Sequence, residues 1–186
     1  VISDNTVTNS GTLDSKYGPG LLFEGSTVIS DNTIENSGSI TAGDATNHSE
    51  DNFGIALLAG NDGPETRLAN SITGNTITVD ASGSIVAYHD GIHLGSTSGS
   101  YDTLTTITGN TVVNNGGISS INGHGILFEA GFDNSLNHVT NNGSIRSDET
   151  GILLTSLDGN IDGNVIINDV SGNIAGYDNK MASDGI

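Results

Sequence analysis

Cysteine and tryptophan are absent from this chain of 186 residues, and lysine and arginine together number only 4 against 22 aspartates and glutamates. Each shortage excludes something. Without cysteine there are no disulfides, no thiolate zinc sites and no thiol nucleophile. Four basic residues do not neutralise a phosphate track, so nucleic acid is excluded as a partner. Anionic lipid headgroups lose their main attraction for the same reason. No run approaches the roughly 20 apolar residues that span a bilayer, so this segment is not expected to insert in a membrane. The formal charge of -18 keeps the chain soluble and repels polyanions. There is no starting methionine and no signal peptide. Val1 lies within one copy of a motif and Gly185-Ile186 within another, so residues 1–186 are expected to be a single segment of a longer chain or assembly.

Hydrophobic residues make up 33% of the chain and aromatics 4%, which is low for a packed domain. Order rather than quantity separates it from a disordered polymer. The motif Ile2-Ser-Asp-Asn-Thr-Val7 returns as Ile29-Ser-Asp-Asn-Thr-Ile34, Ile72-Thr-Gly-Asn-Thr-Ile77 and Ile107-Thr-Gly-Asn-Thr-Val112. A degenerate copy, Leu136-Asn-His-Val139, precedes Ile161-Asp-Gly-Asn-Val-Ile166. A second element follows each copy, as in Asn36-Ser-Gly-Ser-Ile40 and Asn142-Gly-Ser-Ile145. A third closes the unit: Gly20-Leu-Leu-Phe23, Gly54-Ile-Ala-Leu57, Gly91-Ile-His-Leu94, Gly125-Ile-Leu-Phe128 and Gly151-Ile-Leu-Leu154, with Gly185-Ile186 beginning a sixth.

Each unit therefore carries three short segments in which apolar residues alternate, the period of a strand with one buried face. Glycine, asparagine, aspartate and serine flank them and accept turn geometry. No window shows helical periodicity. An all-β, right-handed parallel β-helix is expected, a β-solenoid of about six coils of three short strands. At the strand spacing of about 4.8 Å, six coils make a rod roughly 30 Å long. Every coil contributes to one aliphatic column, where each buried isoleucine or leucine is worth about 1.5–3 kcal/mol.

Asn5, Asn32, Asn75, Asn110, Asn137 and Asn164 recur two positions before the Val or Ile of the first segment. Stacked, their amides are able to hydrogen-bond along the axis as a ladder. The competing explanation is that asparagine merely tolerates left-handed turns. Residues 41–53, 59–70 and 95–105 are polar bulges expected to project as loops, the usual place for binding on a repeat scaffold.

The sequence of Asn-x-Gly-x-Ile, a polar spacer and Gly-Ile-x-Leu resembles the passenger regions of autotransporters, which cross the outer membrane of Gram-negative bacteria. The resemblance covers all six units. It implies a right-handed parallel β-helix, display on the bacterial surface or release from it, and a role in adhesion or aggregation. The family's translocator barrel is not expected within residues 1–186. Polysaccharide lyases, phage tailspikes and fibre-forming surface proteins share the same physics.

Catalysis finds little to attach to. Lys16, Arg67, Arg146 and Lys180 are scattered, although cleavage of an acidic polysaccharide needs bases or cations beside the substrate. Hydrolysis of a neutral glycan needs two carboxylates about 5–10 Å apart, and no pair stands out. His48, His89, His93, His124 and His138 read as solvated loop residues. His89 and His93 would share a side, as zinc ligands must, only if Gly91 were not a corner. Asp158-x-Asn160-x-Asp162-Gly163 matches the opening of a calcium loop, with Asp169 in the twelfth place. The same residues are also the ordinary repeat position, with a buried strand where ligands should follow. No cofactor is expected.

In the Gly-Ile-x-Leu strand the outward position reads Leu22, Ala56, His93, Leu127 and Leu153. Such a stripe on an acidic rod is a candidate association surface unless a loop of the same chain covers it. The expected protein is an extracellular, non-enzymatic rod of adhesive or structural kind, self-associating or stacked on neighbouring coils, with host or cell-surface glycans as further partners. A carbohydrate-active β-helix enzyme and the subunit of an extracellular filament are the alternatives.

Overall fold

The computed structural model describes residues 1–25, 27–43, 46, 51–60, 69–97 and 104–176, and the backbone alone of 181–183. His48, Arg67, Lys180, Gly185, Ile186 and parts of the three bulges lie outside the described residues. Among those described there is no helix, and 24 short strands form four parallel sheets of six strands. The chain is a β-solenoid. The fourth coil shows the plan, with strands Thr106–Thr108, Thr111–Asn114, Gly117–Ser120 and Ile126–Ala130. These belong to what we call ladders A, B, C and D. The first repeat segment bends between its two halves and supplies both A and B, so three segments make four ladders.

The bend has a single cause. The residue before each ladder asparagine adopts a left-handed backbone: Asp4, Asp31, Gly74, Gly109, Leu136 and Gly163 all have φ between 56° and 67°. Glycine and aspartate accept this conformation, whereas a leucine is strained in it.

Register is like on like. Ile34 pairs with Val7 and Ile77, and Ile77 with Val112. Ile40, Ile85, Ile118 and Ile145 follow one another in ladder C. Ile55, Ile92, Ile126 and Ile152 do so in ladder D. All of these except Val7, which is only partly buried, lie in one continuous buried cluster that runs from Phe23 to Leu154. Strands of ladders B and C alternate buried and half-exposed residues, so one face of each lines this core.

Close stacking also dictates glycine at one corner. A methyl group added at Gly125 would overlap Cγ2 of Ile145 and lie 2.5 Å from the Gly151 carbonyl oxygen. Gly20, Gly54 and Gly91 meet their next coils in the same way. The corner glycine therefore lets the Gly-Ile-x-Leu segment turn under the isoleucine of the following coil.

Two substitutions test this geometry by chemical denaturation. Gly125→Ala is expected to lower stability by about 1–3 kcal/mol through overpacking. Leu136→Gly is expected to raise it by about 1 kcal/mol, because relief of left-handed strain exceeds the entropy that glycine adds to the unfolded chain.

Candidate functional site

The six asparagines following the left-handed residues form an unbroken column. Each Nδ2 donates to Oδ1 of the asparagine one coil on: Asn5 to Asn32, Asn32 to Asn75, Asn75 to Asn110, Asn110 to Asn137 and Asn137 to Asn164, at 2.9–3.0 Å. The backbone N–H of each donates to that same Oδ1. The second Nδ2 hydrogen reaches back to a carbonyl of the preceding coil, as from Asn110 to Ile72 O at 2.8 Å. An interior amide thus has both donors and both acceptor sites filled, which removes the penalty for burying it. The left-handed backbone belongs to the preceding residue, so turn tolerance does not explain asparagine here.

A second asparagine column stands at the end of ladder B. Asn9 donates to Asn36, Asn114 to Asn141 and Asn141 to Asn168, at 2.7–2.8 Å. Val79 takes the place in the third coil and interrupts it. Sequence reading missed this column, because the doublets Asn114-Asn115 and Asn141-Asn142 hide which asparagine is in register. The signal available was the spacing to the first column. Asn134 is a further buried amide, standing where other coils have isoleucine. It donates to Phe128 O and Thr155 O and accepts from Asn137.

The calcium motif does not assemble. Asp158, Asn160 and Asp162 are exposed, and Asp162 lies in the strand Ile161–Asp162, paired with Ser135 of the coil before. Leu136 N donates to Asp162 O and Asn134 N to Asn160 O. The backbone is extended and committed to stacking, so it does not wrap around an ion. Among the described residues no group of three metal-ligating side chains is close enough to hold one.

The outward stripe of ladder D is also corrected. Leu22 is 41% exposed and Leu153 half-buried, as expected of a surface. Ala56 is fully buried, and His93 and Leu127 are each only 6% exposed. In the strands Ile55–Ala59 and Ile92–Gly95 every residue is buried, so both faces are covered. Phe53 forms a second apolar cluster with Ala56 and Leu58 on the outer side. Its ring also lies 4.6 Å from that of His93 and 5.5 Å from that of His89. The chain itself covers the centre of the stripe.

Beneath Phe53 lies a polar cluster. Asp90 is fully buried at the residue before the corner glycine. Its Oδ2 accepts from Nδ1 of His93 at 2.8 Å and Nδ1 of His89 at 3.1 Å, and its Oδ1 accepts the His124 backbone N–H at 2.7 Å. An ionised carboxylate only accepts, so both histidines carry their proton on Nδ1. Burial pushes the Asp90 pKa up, but the hydrogen bonds and charge of His89 and His93 outweigh it and hold the carboxyl well below its usual range. Nε2 of His93 is enclosed without a hydrogen-bond partner, 3.9 Å from the Glu129 carboxylate and packed on Gly95. His124 pairs at 3.1 Å with Glu149. These histidines are packed against carboxylates and are not the solvated loop residues expected from the sequence.

Comparison of the chain with protein-family models, with curated proteins and with solved structures finds no match.

Two measurements check the cluster and the column. Asn110→Leu orphans the Asn75 donors inside the rod and is expected to cost about 3 kcal/mol or more at roughly 1–3 kcal/mol per unsatisfied group. Asp90 has a lowered folded-state pKa, so it contributes stability above the unfolded value near 3.9, and that stability is lost as pH falls through the folded value. Thermal melts of Asp90→Asn are therefore expected to show a deficit that is full at pH 7 and narrows below about pH 4.

Proposed function

We propose that this chain is an extracellular, non-enzymatic scaffold from a bacterial surface protein of autotransporter-passenger type, a rod that presents loops for adhesion. The observation that carries this reading is where the length variation falls. Coil spacing along the asparagine column is 27 residues in three steps but 43 and 35 in the other two. The extra residues lie between Ala42 and Ile55, between Ala59 and Ser71, and between Gly95 and Thr106. All three connections border ladder D, in the second and third coils. Insertions that flank one ladder of a rigid rod suit a presentation surface, because the ladders fix their bases while their chemistry varies.

Surface glycans are the partners that suit such loops, and the charge of -18 limits nonspecific association. A carbohydrate-active enzyme would need its groups open to substrate. The histidine best oriented by a carboxylate, His93, is enclosed beneath Phe53, which favours the scaffold.

The test is to immobilise the 186-residue chain, pass neutral and acidic polysaccharides and intact cells over it, and measure both retention and newly released reducing ends. Retention without new reducing ends is the expected outcome, and shortening of residues 59–70 should weaken it without lowering the melting temperature. Steady release of reducing ends would refute the reading in favour of the enzyme.

A further inference from the structure

Asparagine is followed directly by glycine at Asn115-Gly116, Asn122-Gly123 and Asn142-Gly143. Such a pair carries its own chemistry, because glycine has no side chain to keep its backbone nitrogen from the amide carbon of the asparagine before it. The fold treats the three pairs unequally. Gly116 N–H donates to Asn114 Oδ1 at 3.2 Å, and Asn115 Oδ1 accepts from Asn142 Nδ2 at 2.8 Å. Gly143 N–H donates to the Asn114 carbonyl at 3.0 Å. In both pairs the glycine nitrogen and the asparagine amide are therefore engaged. Asn122-Gly123 lies between the strands Gly117–Ser120 and Ile126–Ala130 of the fourth coil. Asn122 is exposed, and among the described residues neither its side-chain amide nor the Gly123 N–H has a hydrogen-bond partner. The backbone around them is nevertheless fixed, since Asn122 N–H donates to Tyr88 O at 2.8 Å and Gly123 O accepts from Glu149 N–H at 3.1 Å.

We propose that Asn122 is a site of self-modification, where the folded chain deamidates spontaneously while Asn115 and Asn142 are protected. The chemistry is independent of what the rod binds. Gly123 N gives its proton to hydroxide and bonds to Asn122 Cγ. The Cγ–Nδ2 bond breaks and ammonia leaves, closing a succinimide ring. Water then opens the ring. Attack at Cγ breaks the new bond and leaves aspartate. Attack at the Asn122 backbone carbonyl carbon breaks the original peptide bond and leaves isoaspartate, whose main chain runs through the side-chain carbons and is one atom longer. Either product replaces a neutral amide by a carboxylate. The longer product also disturbs the buried cluster. Asp90 Oδ1 accepts the His124 N–H at 2.7 Å and lies 2.7 Å from where a Cβ on Gly123 would stand. An extra backbone atom just before Gly123 moves both residues off Asp90. Isoaspartate at this position therefore loosens the corner, whereas aspartate keeps the chain length and leaves it in place.

The experiment ages the 186-residue chain at neutral pH, folded and, in parallel, in concentrated guanidinium chloride. Trypsin cuts after Arg67 and Arg146, so one peptide carries all three pairs, and fragmentation mass spectrometry locates each asparagine that has become an acid. In guanidinium the three pairs should convert at similar rates, because glycine follows each. In the folded chain Asn122 should convert first, with Asn115 and Asn142 at least about tenfold slower, because each of these must break a hydrogen bond before it reacts. Anion exchange isolates the aged chain by its added charge. Its isoaspartate form should melt below the unaged protein, while Asn122→Asp should melt close to it. Equal slowing of all three pairs on folding, or conversion at Asn115 or Asn142 ahead of Asn122, overturns the proposal. An isoaspartate form that melts with the unaged protein overturns the link to the Asp90 cluster. Glycan or cell retention is a separate readout, so failure here would leave the adhesive reading standing.

Discussion

Because strand hydrogen bonding holds successive coils about 4.8 Å apart, every inward side chain of this rod lies against its own counterpart in the next turn. That spacing is the constraint on which the rest depends. Isoleucine on isoleucine fills it with apolar contact. Asparagine on asparagine fills it with hydrogen bonds, because an amide carries donors and an acceptor that repeat along the axis. Glycine on glycine permits a corner where any Cβ would strike the isoleucine below. A chain of low hydrophobic content folds this way because its few aliphatic residues all serve one column, and each interior coil uses both of its faces.

The fifth coil shows how far the rule bends. It puts Asn134 in the isoleucine column and Leu136 at the left-handed position. The first substitution is tolerated because Asn134 finds three partners within its own neighbourhood. The second has no such compensation, since Leu136 is mostly exposed and keeps a conformation that suits glycine. Ladder D bends the rule differently. Its outer face is apolar enough to need cover in the middle coils, and Phe53, carried in by the connection between Ala42 and Ile55, supplies part of it. Under that cover a buried aspartate is stable because two imidazoles and a backbone N–H converge on it.

The architecture was legible because it is written repeatedly. Alternating Ile-x-Leu, the corner glycines and the evenly placed asparagines are local patterns, and stacking converts each of them into a column. Asn5 to Asn164 could be named in advance for that reason. What escaped was non-local. Whether Ala56 or Leu127 meets water depends on what packs over the outer face, as Phe53 does on Ala56, and alternation along a strand does not encode that. His89 and His93 looked like loop residues because Gly91 separates them. The corner instead swings both rings onto Asp90, a contact made by the three-dimensional turn. The second asparagine column was hidden by doublets in which only one member is in register. The calcium motif was a coincidence of composition, since a repeat built from Asp, Asn and Gly reproduces the opening of such a loop without its curvature.

Hydrogen–deuterium exchange, followed by NMR at the asparagine amides, tests the stacked column most directly. If the column holds the coils together, the backbone and side-chain amides of Asn75 and Asn110 exchange only on global unfolding, while the side-chain amide of Asn164 in the last coil exchanges far faster. Rapid exchange at Asn75 and Asn110 under native conditions would contradict it, because those amides would then be open to water and the coils would be held by something else.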